Sequence, residues 1–158
     1  LVLARLLPLL SSLFYLTNQG GLFMITITLD EFLTKLRSQN VPREHLAFVC
    51  PICGSIQSAF DLIKAGAGKD YEEVEKYLAF SCVGRFTHKL PASKPYGTRY
   101  GCDWTLGGLF QFHDLEVITP DGKAHPRFRP VSATIAQAHM KLCATFLDLK
   151  TAPESDYA

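Results

Sequence analysis

Five cysteines carry most of the chemistry available to this 158-residue chain: Cys50, Cys53, Cys82, Cys102 and Cys143. Cys50 and Cys53 stand two residues apart in Cys50-Pro51-Ile52-Cys53-Gly54. Such a pair can set two sulfurs on one ion in a tight turn, and zinc takes four tetrahedral thiolate or imidazole ligands. Gly54 suits that turn, because glycine adopts positive φ and lets backbone N–H groups approach sulfur. A second C-x-x-C is missing, and the remaining candidates are single: Cys82, twenty-nine positions after Cys53, and Cys102, twenty after that. The expected cofactor is therefore a structural zinc held by Cys50, Cys53, Cys82 and Cys102, with His88 as an alternative to either single cysteine. The plainer reading makes Cys82 and Cys102 small buried apolar residues, since free cysteine is often buried. Cys143 falls on the apolar side of a helical stretch and reads as core.

The C-P-x-C-G pentapeptide resembles the knuckle of zinc ribbons and rubredoxins, over those five residues alone. C-P-x-C also resembles the glutaredoxin active-site motif, in which the first cysteine is a low-pKa nucleophile opening a helix. Gly54-Ser55 follows at once here, and no thioredoxin-like βαβ order surrounds the pair, so redox chemistry is the rival. A zinc-dependent or thiol-redox enzyme using Cys50 and Cys53 is the alternative function. Zinc deaminases need H-x-E and P-C-x-x-C; Glu44-His45 and the internal Pro51 do not match. G-x-S-x-G, Walker A, G-x-G-x-x-G and H-E-x-x-H are absent from the sequence. Ala65-Gly-Ala-Gly68-Lys69 lacks P-loop spacing and reads as a helix stop. His113-Asp114 and His139 are further polar candidates that the fold would have to bring together.

Between Cys82 and Cys102 runs a segment with four cations, Arg85, Lys89, Lys94 and Arg99, and no acid. Phe86, Tyr96 and Tyr100 are interleaved with them. Cations among aromatics suit phosphates and unstacked bases. A second basic stretch holds Lys123, His125, Arg127 and Arg129. Nucleic acid, or a host protein, is the partner these surfaces imply, and binding rather than catalysis is the implied mechanism. The plainer reading is a solvated loop that keeps the protein soluble. Sixteen basic against fifteen acidic residues exclude a strongly basic chromatin-type binder.

The elements that must position these residues follow from local pattern. Met24 to Thr28 is strand-like, and Thr28-Leu29-Asp30-Glu31 is a capping box that starts a helix bearing Phe32, Leu33 and Leu36, ended by Asn40 and Pro42. His45 to Val49 is a strand running into Cys50. Ile56, Ala59, Phe60 and Ile63 fit one helix, stopped by Gly66 and Gly68. Asp70 caps another over 71–80. Phe80 to Val83 is extended, and Leu115 to Thr119 is a strand that turns at 120–123 and returns through Phe128. Ser132 caps a last helix with Ile135, Ala138, Leu142 and Phe146 inward, and Trp104 is expected beside the metal. Strands and helices mix without a regular βαβ rhythm, which gives a small α+β fold with short antiparallel strands and about four helices.

Residues 1–23 hold one charge, Arg5, and their apolar run is broken by Arg5 and Pro8. That run is short for a transmembrane helix, and no small-x-small cleavage site follows. Gln19-Gly20-Gly21 can be encoded as CAA GGA GGT, a ribosome-binding sequence two codons before Met24. The expectation is a translated leader over 1–23, a single domain over 24–150 and a flexible tail over 151–158. A start at Met24 removes Arg5 and leaves the charges balanced, with no membrane partner and a cytoplasmic location.

The segments HLAFVCPICGSIQSAFDLIKAGAGKDYEEVEKYLAFSCVGRF, GCDWTLGGLFQ and LEVITPDGKAHPRF resemble an uncharacterised family of small proteins from phages, prophages and bacterial genomes. The resemblance spans about residues 45–130 and includes Cys50, Cys53, Cys82 and Cys102 but not Cys143. It implies a phage or bacterial cytosolic setting and no particular activity.

Overall fold

The computed structural model describes residues 24–88, 100–109 and 112–151. The chain opens with strand β1 (Ile25–Thr28), followed directly by helix α1 (Leu29–Ser38). The capping box forms as the sequence implies: Thr28 Oγ1 accepts from the Glu31 N–H, and Glu31 accepts from the Thr28 N–H. Asn40 takes positive φ, 51°, just past the helix and turns the chain away. Strands β2 (Phe48–Val49) and β3 (Ile56–Gln57) then flank the Cys50–Cys53 turn as a short hairpin. Helix α2 (Ala59–Lys64) and helix α3 (Tyr71–Val74) follow, and α3 passes into a 3-10 turn over Glu75–Tyr77.

The second half supplies β4 (Leu115–Ile118), β5 (Ala124–Arg127), β6 (Arg129–Pro130) and the long helix α4 (Ala133–Thr151). Two three-stranded sheets result, in the orders β1-β4-β5 and β3-β2-β6. The β1–β4 pairing is parallel, with Ile25 opposite Leu115, and the other three pairings are antiparallel. The fold is a small α+β domain with short mixed strands and, among the described residues, four α-helices. Among the described residues no helix is long and apolar enough to cross a membrane.

One core joins the two sheets. Phe48, Phe128 and Leu62 are its largest fully buried apolar side chains, and Cys50, Cys53, Cys82 and Cys102 lie in the same cluster. Gln39 is fully buried among them without loss, because its amide is saturated. Its Nε2 donates to the Ala47 and Val131 carbonyls, and its Oε1 accepts from the Ala47 N–H.

Three local expectations are corrected. Ile56 belongs to β3, not to a helix, and α2 starts at Ala59, where Ser58 and Asp61 form a second capping box. The helix expected over 71–80 stops at Val74 as an α-helix, and Ala79 takes positive φ, 55°, to bring the chain back into the core. On α4 the expected inward residues Ile135 and Leu142 are exposed, and so is Ala138. The face that packs is Ala136, His139 and Cys143. Phe146, Lys89, Lys94 and Arg99 lie outside the described residues and side chains.

Candidate metal centre

The hairpin turn between β2 and β3 carries the first two sulfurs. Gly54 takes φ 72°, and its N–H donates to the Cys50 carbonyl at 3.0 Å, closing the turn. The Cys50 N–H in turn donates to the Ser55 carbonyl at 2.9 Å. The third sulfur comes from Cys82, fixed by its N–H donating to the Trp104 carbonyl at 2.8 Å, and the fourth from Cys102. The Trp104 ring packs against the core cluster that includes the four cysteines.

The structure brings all four sulfurs together, within 4.8 Å of one another and buried. Cys50 Sγ lies 3.8 Å from Cys102 Sγ, and Cys53 Sγ lies 3.7 Å from Cys82 Sγ. Four thiolates about 2.3 Å from a central zinc sit at tetrahedral edges of about 3.8 Å. A disulfide would need about 2.05 Å, and all five cysteines are free thiols. The chemistry of the donor set, four soft sulfurs and no carboxylate, fits zinc. His88 is not among the clustered donors.

Hydrogen bonds from Cys102 and then Cys50 hold the Cys53 and Cys82 thiols below the ordinary thiol range, while contact with Cys102 pushes Cys50 up. A cation in the centre favours the thiolate form of all four.

Four residues that no motif marks hold this cluster in place. Ser55 Oγ accepts from the Cys53 thiol at 3.2 Å and from the Gly101 N–H at 2.7 Å. Gln57, fully buried, grips the chain on both sides of Cys82. Its Nε2 donates to the Ser81 carbonyl, and its Oε1 accepts from the Val83 N–H, both at 2.7 Å. Gly84 and Gly101 let two backbone segments touch beside Cys82 and Cys102. The mirrored order Cys82-Val83-Gly84 and Gly101-Cys102 is the sequence signal for that contact. Replacing Gln57 with leucine strands two buried backbone groups, each worth about 1–3 kcal/mol. Gln57→Leu is expected to lower stability by about 3 kcal/mol in urea denaturation of the zinc-loaded chain; an unchanged midpoint would refute the role given to this amide.

The basic candidates are more committed than the sequence suggests. Arg85 donates to the Asp103 carbonyl at 2.7 Å. Lys123 pairs with Asp121 at 2.9 Å, and Arg129 with Asp114 at 2.6 Å. Arg127 lies 5.9 Å over the Phe80 ring and donates to the Pro126 carbonyl. Burial holds its guanidinium below the usual arginine range.

The described contacts of His113 and His139 differ. His113 Nε2 faces Glu116, whereas His139 Nε2 lies 2.7 Å from Asp61 on α2. Burial alone would raise the Asp61 carboxyl, but the His139 and Ser58 hydrogen bonds outweigh it and hold the group below its ordinary value. Burial pushes the nearby Cys143 thiol up to about 11.

Among known proteins, the model of the VVA0879-like family matches residues 28–131, a stretch that contains all four clustered cysteines. No curated protein and no solved structure matches the chain.

Proposed function

The chain belongs to the VVA0879-like family, and from that footing we propose that it is a zinc-organised binding module rather than an enzyme at its cysteine centre. The observation that carries this reading is the buried set of four sulfurs within 4.8 Å of one another, two of whose separations, 3.8 and 3.7 Å, match a tetrahedral edge. Four protein thiolates fill the coordination sphere of zinc and leave no position for water, so the ion acts on folding and not on a substrate. The rival thiol-redox reading needs one accessible attacking sulfur; Cys50 is 1% and Cys53 7% exposed.

The partner is nucleic acid, taken through the segment between Cys82 and Cys102. Both of its ends lie beside the clustered cysteines, and its sequence carries Arg85, Lys89, Lys94 and Arg99 without an acid, Arg85 also donating to the Asp103 carbonyl. Lys123 and Arg127 contribute less, since one is ion-paired and the other half-buried. A phage or bacterial cytosolic setting is part of the proposal.

Two measurements on the full chain test it. Native mass spectrometry should find one zinc that survives a chelator and leaves only on unfolding; absence of any chelator-resistant metal would overturn the structural-zinc reading. Fluorescence anisotropy with a single-stranded oligonucleotide should show affinity falling about 50-fold between about 50 and 200 mM salt if four phosphates are neutralised. Absent or salt-independent binding would overturn the nucleic-acid reading and turn the search to protein partners.

A further inference from the structure

A second convergence of metal donors lies outside the cysteine centre. Asp61 sits on α2, and His139 and Cys143 sit four residues apart on α4, a spacing that puts both on one face of a helix. The donor atoms of all three lie within 4.8 Å of one another. Cys143 Sγ is 3.7 Å from Asp61 Oδ1 and 3.8 Å from His139 Nε2, and Nε2 is 2.7 Å from Asp61 Oδ2.

The same three residue types could serve as a nucleophile, base and acid, but the geometry is wrong for that. A relay uses the two ring nitrogens in opposite directions, one toward the acid and one toward the nucleophile. Here one nitrogen, Nε2, faces both the carboxylate and the sulfur. Donors that converge on one point suit a cation. A sulfur and a nitrogen on tetrahedral zinc lie about 3.5 Å apart, close to both sulfur edges found here, and nitrogen and oxygen about 3.3 Å apart. The shorter nitrogen–oxygen edge is a hydrogen bond, which opens by about half an ångström when a metal replaces its proton.

Asp61 is also braced as a ligand. Its Oδ2 accepts from the Ser58 N–H and hydroxyl, both at 2.8 Å, which fixes the carboxylate before any ion arrives. The imidazole and the carboxylate remain in reach of solvent, at 14% and 15% side-chain exposure.

We infer that Asp61, His139 and Cys143 form a second, open metal site for a late first-row divalent cation such as zinc, with one coordination position left for water or a substrate atom. Mixed nitrogen, oxygen and sulfur donors select that class over magnesium or calcium. Three protein ligands with a free fourth position define a reactive zinc site, where bound water becomes acidic near neutral pH. The site does not rest on the cysteine centre: Asp61 lies within the family match, and His139 and Cys143 lie beyond it.

The test uses the full chain treated with a chelator under native conditions, so that only labile metal is lost, and then titrated with Co2+. The wild type should take up one equivalent with a thiolate-to-cobalt charge-transfer band, and azide should shift its visible bands. His139→Gln should weaken uptake by about 100-fold or more. Cys143→Ser should abolish the charge-transfer band while far-UV circular dichroism stays unchanged, which keeps the test decisive should His139→Gln not fold. No cobalt uptake by the wild type, uptake unaffected by His139→Gln, or a band that survives Cys143→Ser would each overturn the site. An azide-insensitive spectrum would overturn its openness. The chelator-resistant zinc is counted separately beforehand, so its presence or absence is distinguishable from either result.

Discussion

Cys53→Ser is expected to remove the chelator-resistant zinc and to unfold the domain. A serine hydroxyl stays protonated at neutral pH and does not replace a thiolate on zinc. Structural zinc contributes about 10–16 kcal/mol of apparent folding free energy in small peptides, whereas a whole domain is stable by about 5–15 kcal/mol. Loss of the ion therefore exceeds what the rest of the fold can offset. The position of the site makes this worse. The four sulfurs lie inside the main core beside Phe48 and Leu62, so without metal four thiols are left in mutual contact in the interior. Native mass spectrometry should show one fewer zinc, and the near-UV circular dichroism and cooperative melt should be lost. A variant with wild-type melting and metal content would sink the structural-zinc reading.

Gly84→Ala is expected to be strongly destabilising although it removes no ligand. A Cβ at Gly84 would stand 2.3 Å from the Cys102 nitrogen, 2.5 Å from the Cys102 carbonyl oxygen and 2.6 Å from the Gly101 carbonyl carbon. All three are backbone atoms, so no side chain can swing aside. Gly101 cannot retreat easily, since it holds φ 88° and its N–H is bound to Ser55. Cys102 must move, and its sulfur with it, away from the other three. Overpacking of this kind costs about 1–3 kcal/mol where neighbours adjust, and here about 4 kcal/mol or more. The measurements are a urea melt and the rate of zinc transfer to a chromogenic chelator, which should rise. Gly107→Ala is the contrast: its Cβ meets side chains alone, the rim of the Phe80 ring at 3.3 Å and the Thr105 hydroxyl at 3.8 Å. Equal stability of the two variants would mean that the Gly84–Cys102 contact does not hold the site.

The parts of this architecture that depend on neighbours along the chain are legible in the sequence alone. The Thr28–Glu31 capping box and the positive φ of Gly54 are dictated by residue type and spacing, and both are present. The C-x-x-C pair marks its own turn. The clustering of Cys82 and Cys102 with it is a long-range matter that spacing can only suggest. On α4 the sequence pattern points to the wrong face for a physical reason. Apolar periodicity favours Ile135 and Leu142, yet His139 and Cys143 go inward because Asp61 satisfies them there. A polar group that meets its partner across the fold loses little by burial, and hydrophobic pattern cannot register that compensation. Gln57 is silent in the sequence likewise, since its value lies in two backbone groups 24 and 26 residues away.

The parallel pairing of β1 with β4 joins Ile25 to Leu115, which makes it the slowest kind of contact for a searching chain. About 90 residues of loop must close before that pairing forms. An ion tying Cys50 to Cys102 would short-circuit the path, leaving about 40 residues to close and sparing about 0.8 kcal/mol of closure entropy. Zinc would then act on the folding rate as well as on stability. Refolding from urea should run about three- to fourfold faster when metal is present from the start than when it is added after collapse. In that sense the four thiols are a kinetic splice, rewriting which ends of the chain count as near.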